Sequence, residues 1–173
     1  MSLFCHFLYA IMWKINLNAL NMGISNDDIS TILSILKTIP LMEDLNEDDH
    51  REVIKHINLE YFPNNYVVFN EGDSGDSFYI IKRGMVRIFH PAREGREEKE
   101  VAMLGDNDFF GEMSLISEKP RNATAQTVEE TECFKLLKQD FIDLVSSNPN
   151  MASRISSEFL TRLKVNIKED QSE

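Results

Sequence analysis

"YVVFNEGDSGDSFYIIKRGMVRIF", residues 66–89, contains three short apolar runs separated by two clusters of turn residues. The runs 66–69, 78–81 and 86–89 are rich in Val, Ile, Phe and Tyr and are too short for helices. Between them lie "NEGDSGDS" and "KRG", where Gly, Asp and Asn favour reversal of the chain. The same texture continues through 101–104, 123–128 and 133–137, with "PAREGREEK" and "GDND" in the gaps. Short strands at this spacing, each closed by turn chemistry, predict an antiparallel barrel or jelly roll. Gly72, Gly75, Gly84 and Gly105 occupy the tight turns, where positive φ is expected. The charged loop 91–100 reads as a solvated hairpin tip and nothing more.

Helical periodicity flanks this region. Ile29, Ile32, Leu33 and Leu36 fall on one face of a helix over 26–37, with Asn26 as its N-cap and Pro40 beyond its end. A second helix follows Asn46; Glu47, Asp48 and Asp49 fill its first turn, where carboxylates suit the helix dipole, and Val53, Ile54 and Ile57 face inward. That acidic cluster is read as a solvated helix start rather than a metal site. After the strands, Phe141, Leu144 and Val145 mark a helix over 138–146. Met151, Ile155, Phe159 and Leu163 then recur every four residues, a stripe read as packing or a dimer seam ahead of a lid. The fold class is α+β, mainly β: an antiparallel β-roll or jelly roll flanked by N- and C-terminal helices.

The net charge of −11 over 173 residues argues against nucleic-acid binding, which needs clustered cations to displace counterions. Any anion held here is therefore small and held locally. Cys5 and Cys133 stand far apart and offer neither a disulfide framework nor a zinc site. A reducing cytoplasm is the simplest setting. In "MSLFCHFLYAIMW" eleven of thirteen residues are apolar, too short a run for a bilayer span of roughly 20 residues, and without the basic start of a secretory signal. It is read as an arm that packs on the domain or a partner, ahead of a peripheral membrane contact, with Met12 and Met22 as alternative starts.

The chemistry concentrates in "FFGEMSLISEKPRNATAQ", residues 109–126. Phe109 and Phe110 close a strand, and Gly111 opens a single helical turn whose free N–H groups can seat a phosphate oxygen. The carboxylate of Glu112 repels phosphate but accepts hydrogen bonds from sugar hydroxyls. Pro120 fixes the chain, Arg121 supplies a forked guanidinium, and Ala123 and Ala125 leave room on one strand face. No GxxxxGK[ST] loop for a nucleoside triphosphate occurs. One arginine with backbone dipoles balances the single negative charge of a cyclic phosphodiester. The competing reading is a salt bridge from Arg121 to Asp76 or Glu112 in an empty fold. His6, His50, His56 and His90 are scattered and form no metal or cupin-like cluster, so no catalytic constellation and no metal or cofactor is expected.

"FGEMSLISEKPRNATA" resembles the phosphate-binding cassette of cyclic-nucleotide-binding domains, as found in catabolite-activator-like proteins and kinase regulatory subunits. The resemblance extends through "IPLMEDLNEDDHREVIKHI", "VVFNEGDSGDSFYIIKRGMVRIF", "LGDNDFFGEM" and "FKLLKQDFIDLVSSNP". It divides the chain into an apolar arm and helix over 1–38, a cyclic-nucleotide-binding-like domain over 39–164 and a polar tail over 165–173. It implies that Gly111, Glu112, Met113, Ser114, Arg121, Asn122 and Ala123 bind the ligand. Glu112, with the Gly111 backbone, would take the ribose 2′-hydroxyl; Arg121 would pair with the cyclic phosphate, and the N–H groups of Ser114 and Asn122 would complete its shell. Asp76 would orient the arginine, Met103 and Leu104 would border the base, and Phe159, Leu160 or Leu163 would form a lid. Asn122 departs from the Ala, Ser or Thr usual in the family and bears on purine choice; cAMP is placed ahead of cGMP. The implied role is a sensor for a separate, unidentified effector protein, with no enzymatic activity, no DNA-binding segment and a homodimer seam on the C-terminal helix. The alternative is a ligand-free structural or interaction module of the same fold.

Overall fold

The computed structural model describes residues 24–115 and 119–153. Helix α1 (Asn26–Leu36) starts one residue earlier than the sequence suggests: Ser25, not Asn26, is its N-cap. The reason is a reciprocal pair of bonds, Asp28 N–H to Ser25 Oγ at 3.1 Å and Ser25 N–H to Asp28 Oδ2 at 2.8 Å, which satisfies two donors at once. Helix α2 (Glu47–Lys55) repeats the device with Asn46 and Asp49. The acidic cluster there serves as a cap and first turn, and no group of metal-ligating side chains occurs among the described residues.

Eight strands follow: β1 (Asn58–Phe62), β2 (Val67–Phe69), β3 (Ser77–Arg83), β4 (Val86–His90), β5 (Lys99–Leu104), β6 (Phe109–Phe110), β7 (Thr124–Thr127) and β8 (Thr131–Leu137). They form two antiparallel four-stranded sheets, ordered β1-β8-β3-β6 and β2-β7-β4-β5. This is the mainly β roll with flanking helices that the sequence predicts. Strand β1 was not foreseen. Its Glu60 pairs with Lys135 of β8 at 3.1 Å and its Tyr61 is exposed, so it carries little of the apolar texture that marks the other strands.

Strands β3 and β8 are apolar on both faces because they divide two cores. Phe78, Ile80, Phe134 and Leu136 face a layer built by α1, α2 and α3 (Lys138–Ser147), together with Leu115 and Met151. Tyr79, Ile81 and Cys133 face the second sheet and pack with Phe62, Val86, Phe110 and Ala125. Period-two alternation thus sends neighbouring side chains into different cores. Burial pushes the Cys133 thiol up to about 12, in keeping with an inert core residue. Among the described residues no helix is long and apolar enough to cross a membrane.

Positive φ occurs at Gly72 and Gly84, as expected, but not at Gly75 or Gly105. In the "GDND" turn the Asp108 carboxylate accepts from the Gly105 N–H at 2.8 Å, and the left-handed residue is Asn107, at φ 69°. Gly84 has no room for a side chain. At φ +115° a Cβ would lie 2.6 Å from Thr131 Oγ1 and 2.8 Å from the Glu130 carbonyl. Gly84→Ala is therefore expected to destabilise the protein by about 1–3 kcal/mol, read as a lowered urea midpoint.

His50 on α2 is fully buried; its Nε2–H donates to the Met42 carbonyl at 2.9 Å, and Nδ1 has no hydrogen-bond partner among the described residues. Burial lowers its pKa; Lys37 adds to this, while the Met42 bond and Asp49 oppose it. The unfolded chain then binds the proton more readily than the folded one. Stability should fall as pH drops below about 6.5, by at most about 1.4 kcal/mol per pH unit for one such group. Urea titrations between pH 7.5 and 5.5 should show this slope, and His50→Gln should flatten it.

Candidate functional site

Between β6 and β7 the chain makes a 3-10 turn (Glu112–Leu115) and returns through Pro120 and Arg121. Strand β6 fixes where the turn begins, because Phe109 and Phe110 pair with Ile80 and Tyr79 of β3. Leu115, buried in the helix-side core, fixes where it ends. The Arg121 main chain is held from outside by the β2–β3 turn. Its N–H donates to the Asp73 carbonyl at 2.8 Å, and its carbonyl accepts from the Gly72 N–H at 2.8 Å.

The Arg121 side chain runs inward and the residue is only 7% exposed. Nη2 donates to the Ser77 carbonyl at 2.7 Å, and Nη1 donates to the Gly111 carbonyl at 3.3 Å. Its guanidinium carbon sits 4.0 Å from the centre of the Phe69 ring, within cation–π range. The Asp76 carboxylate is 3.6 Å from Nη2 but is itself mostly exposed. Nε is buried and has no hydrogen-bond partner among the described residues. Burial lowers the Arg121 pKa, opposed by Tyr79, Asp76, Asp73 and Glu112; a guanidinium nonetheless stays charged.

Arg121 lines a cavity of about 280 Å³. Of the residues singled out in the sequence, Gly111, Glu112, Met113, Asn122 and Ala123 line it too. Ser114 belongs to the same 3-10 turn. Asp76 is not among the lining residues; it pairs with Arg121 and accepts from Ser77 Oγ at 2.7 Å. Met103 and Leu104 are not among the lining residues: Met103 is exposed on β5, and Leu104 packs against the inter-sheet core together with Phe69 and Ile88. Phe159, Leu160 and Leu163 lie outside the described residues. Sequence reading missed the apolar wall of Phe69, Ile88, Phe109 and Phe110, and also Lys119 and Pro120 at the return of the chain. Phe69 and Ile88 belong to strands distant in sequence, and only sheet pairing brings them here.

The loop 91–100, expected to be a bare tip, is anchored. His90 Nδ1–H donates to Glu71 at 2.8 Å, and Arg93 and Arg96 reach the same carboxylate at 3.1 and 3.0 Å. Among the described residues the wall of the cavity carries one buried cation, Arg121, one exposed cation, Lys119, and one carboxylate, Glu112, around an apolar lining, suited to a small amphipathic anion that also carries hydroxyls.

Residues 59–148 match a family model described as "Cyclic nucleotide-binding domain". The chain is 31% identical over 129 residues to a cyclic AMP receptor protein of Thermus thermophilus, covering 75% of this chain and 59% of that one. It is 29% identical over 134 residues to a cGMP-dependent protein kinase of Drosophila melanogaster, covering 76% of this chain and 14% of the kinase. Among solved structures, the N-terminal domain of a transcriptional regulator from Streptomyces coelicolor A3(2) superposes with a TM-score of 0.66 at 25% identity, over 78% of this chain and 94% of that domain. The chain thus spans less than two thirds of the length of both curated relatives.

Gly111 has φ +79°, and a Cβ there would lie 2.6 Å from Arg121 Nη1 and 3.1 Å from the Ser77 carbonyl. Gly111→Ala should displace the guanidinium, seen as a shift of its Nε–H resonance, and should cost about 1–3 kcal/mol of stability in chemical denaturation.

Proposed function

The chain belongs to the cyclic nucleotide-binding domain family, and on that premise we propose that it is a regulatory module which binds a cyclic nucleoside monophosphate beside Arg121 and signals to a partner. The observation that carries this reading is the state of Arg121. A guanidinium buried to this degree, with Nε unmatched, is unfavourable alone and becomes favourable when an anionic oxygen reaches it. A cyclic phosphate brings one negative charge to one arginine. Glu112 lines the same cavity and accepts from the ribose 2′-hydroxyl, while Phe69, Ile88 and the β6 aromatics supply an apolar wall.

The volume of about 280 Å³ lies near the small end of ligand pockets, which supports a mononucleotide over anything larger. In this reading the N–H groups of Ser114 and Asn122 complete the phosphate shell, and Met113 and Ala123 pack against the ligand. Asp76 orients Arg121 from the solvent side. Asn122, exposed at the wall of the cavity, bears on purine choice, and cAMP is placed ahead of cGMP. The ligand-free alternative calls for carboxylates to close the arginine. Its hydrogen bonds run to two carbonyl oxygens, at 2.7 and 3.3 Å, and the Asp76 carboxylate pairs with it only at 3.6 Å and from the solvent side.

Isothermal titration with cAMP and cGMP tests the proposal. Arg121→Ala should weaken binding by about 10- to 100-fold, the effect of losing one charge-assisted hydrogen bond. Equal affinity in wild type and variant would show that the phosphate sits elsewhere. A melting temperature unmoved by saturating cAMP or cGMP would favour the ligand-free module, since a ligand bound to the folded state must raise it.

A further inference from the structure

Glu71 stands just after β2, in the turn that grips the main chain of Arg121. The turn is closed on itself: Asn70 N–H donates to the Asp73 carboxylate at 2.7 Å, and Asp73 N–H donates to the Asn70 carbonyl at 3.1 Å. It is fastened to β7 through the Glu71 N–H, which donates to Thr124 Oγ1 at 3.0 Å. Gly72 and Asp73, the next two residues, are the ones that bond to the carbonyl and N–H of Arg121.

The Glu71 side chain is 13% exposed and turns away from the cavity, toward the β4–β5 loop. There it accepts from His90 Nδ1 at 2.8 Å and from Arg96 Nη2 at 3.0 and 3.1 Å, and it pairs with Arg93 Nη2 at 3.1 Å. The loop is shaped to present these groups. Arg93 and Arg96 exchange backbone bonds of 2.9 Å, and Arg96 also donates to the Pro91 carbonyl at 3.2 Å. An isolated surface ion pair contributes little. A sheltered carboxylate with three partners is a network, and cutting it frees two loops from each other. The His90 bond, then the Arg96 bond, hold the Glu71 carboxyl below the usual carboxylate range, so it is charged at neutral pH.

We propose that Glu71 is a positioning residue for the ligand site: by fastening the turn at 70–73 to the β4–β5 loop, it fixes the main chain from which the Arg121 guanidinium enters the cavity. This rests on the reading of Arg121 as the phosphate-binding group. Neither Glu71 nor His90, Arg93 or Arg96 lines the cavity, so the effect on ligand passes through the Gly72 and Asp73 backbone.

The test compares wild type, Glu71→Gln, Arg96→Ala and the double variant in two measurements. One is the affinity for cAMP and cGMP; the other is amide hydrogen exchange of Gly72 and Arg121 in the ligand-free protein. Glu71→Gln should weaken both nucleotides by the same factor, roughly 2- to 30-fold, and speed exchange at those two amides. The double variant should bind no worse than Glu71→Gln alone, because both changes cut the same link. Wild-type affinity and wild-type protection in Glu71→Gln overturn the proposal. Loss of affinity accompanied by faster exchange across both sheets also overturns it, since Glu71 would then support the fold and not the site. If wild type binds neither nucleotide, the reading of Arg121 falls, while exchange at Gly72 and Arg121 still decides whether the clamp exists.

Discussion

A guanidinium leaves water at a cost that acceptors for its N–H groups must offset, and in this protein Nη1 and Nη2 of Arg121 meet main-chain carbonyls at the ends of two strands. Ser77 opens β3 and Gly111 follows β6, and the Arg121 fork bridges them. Neither of these acceptors carries a net charge, and the carboxylate paired with the fork, Asp76, stands at 3.6 Å and is mostly exposed. The guanidinium face rests on Phe69 of the opposite sheet. Both sheets, the turn after β6 and the turn after β2 therefore converge on one cation. The cavity beside it exists because that convergence leaves a gap between strands and turn.

Two-faced strands make this possible. β3 and β8 each contribute to the helix-side core with one set of residues and to the inter-sheet core with the alternate set. Ser77 and Tyr79 on β3 belong to the inter-sheet side: Tyr79 stacks on Phe110 with ring centres 5.0 Å apart, and the Ser77 and Tyr79 hydroxyls lie 2.9 Å from each other. The same strand that supplies the carbonyl for Arg121 is thus locked by aromatic packing and buried against helices. The site stands on the most deeply packed strand of the fold.

Much of this was legible in the sequence because the decisive signals are local. Apolar runs bounded by Gly and Asp located six strands, and Phe109 and Phe110 were read as closing another. Glycine, glutamate and arginine within one short stretch located the cavity wall at Gly111, Glu112 and Arg121. What escaped depends on pairing between distant segments. β1 is half polar, and its place comes from β8. Phe69 and Ile88 look like any core residues until β7 and β4 bring them to the cavity. Met103 and Leu104 border the base only by resemblance; they are not among the lining residues, although β5 pairs with β4, whose Ile88 is. The loop 91–100 looked solvated because its arginines are long and charged; their common target, Glu71, is some twenty residues upstream.

Leu115 ties the turn after β6 to the rest of the molecule. Glu112 and Leu115 are the two ends of one four-residue turn. The first lines the cavity, and the second is buried among side chains of α1, α2, α3 and Met151. The two ends are three residues apart, so little main chain is available to absorb a shift of one against the other. A displacement of the cavity wall by even a fraction of a side chain's width must slide a leucine within a close-packed layer, which resists continuous deformation. The turn is in effect a rocker with one arm in the pocket and the other wedged under the helices.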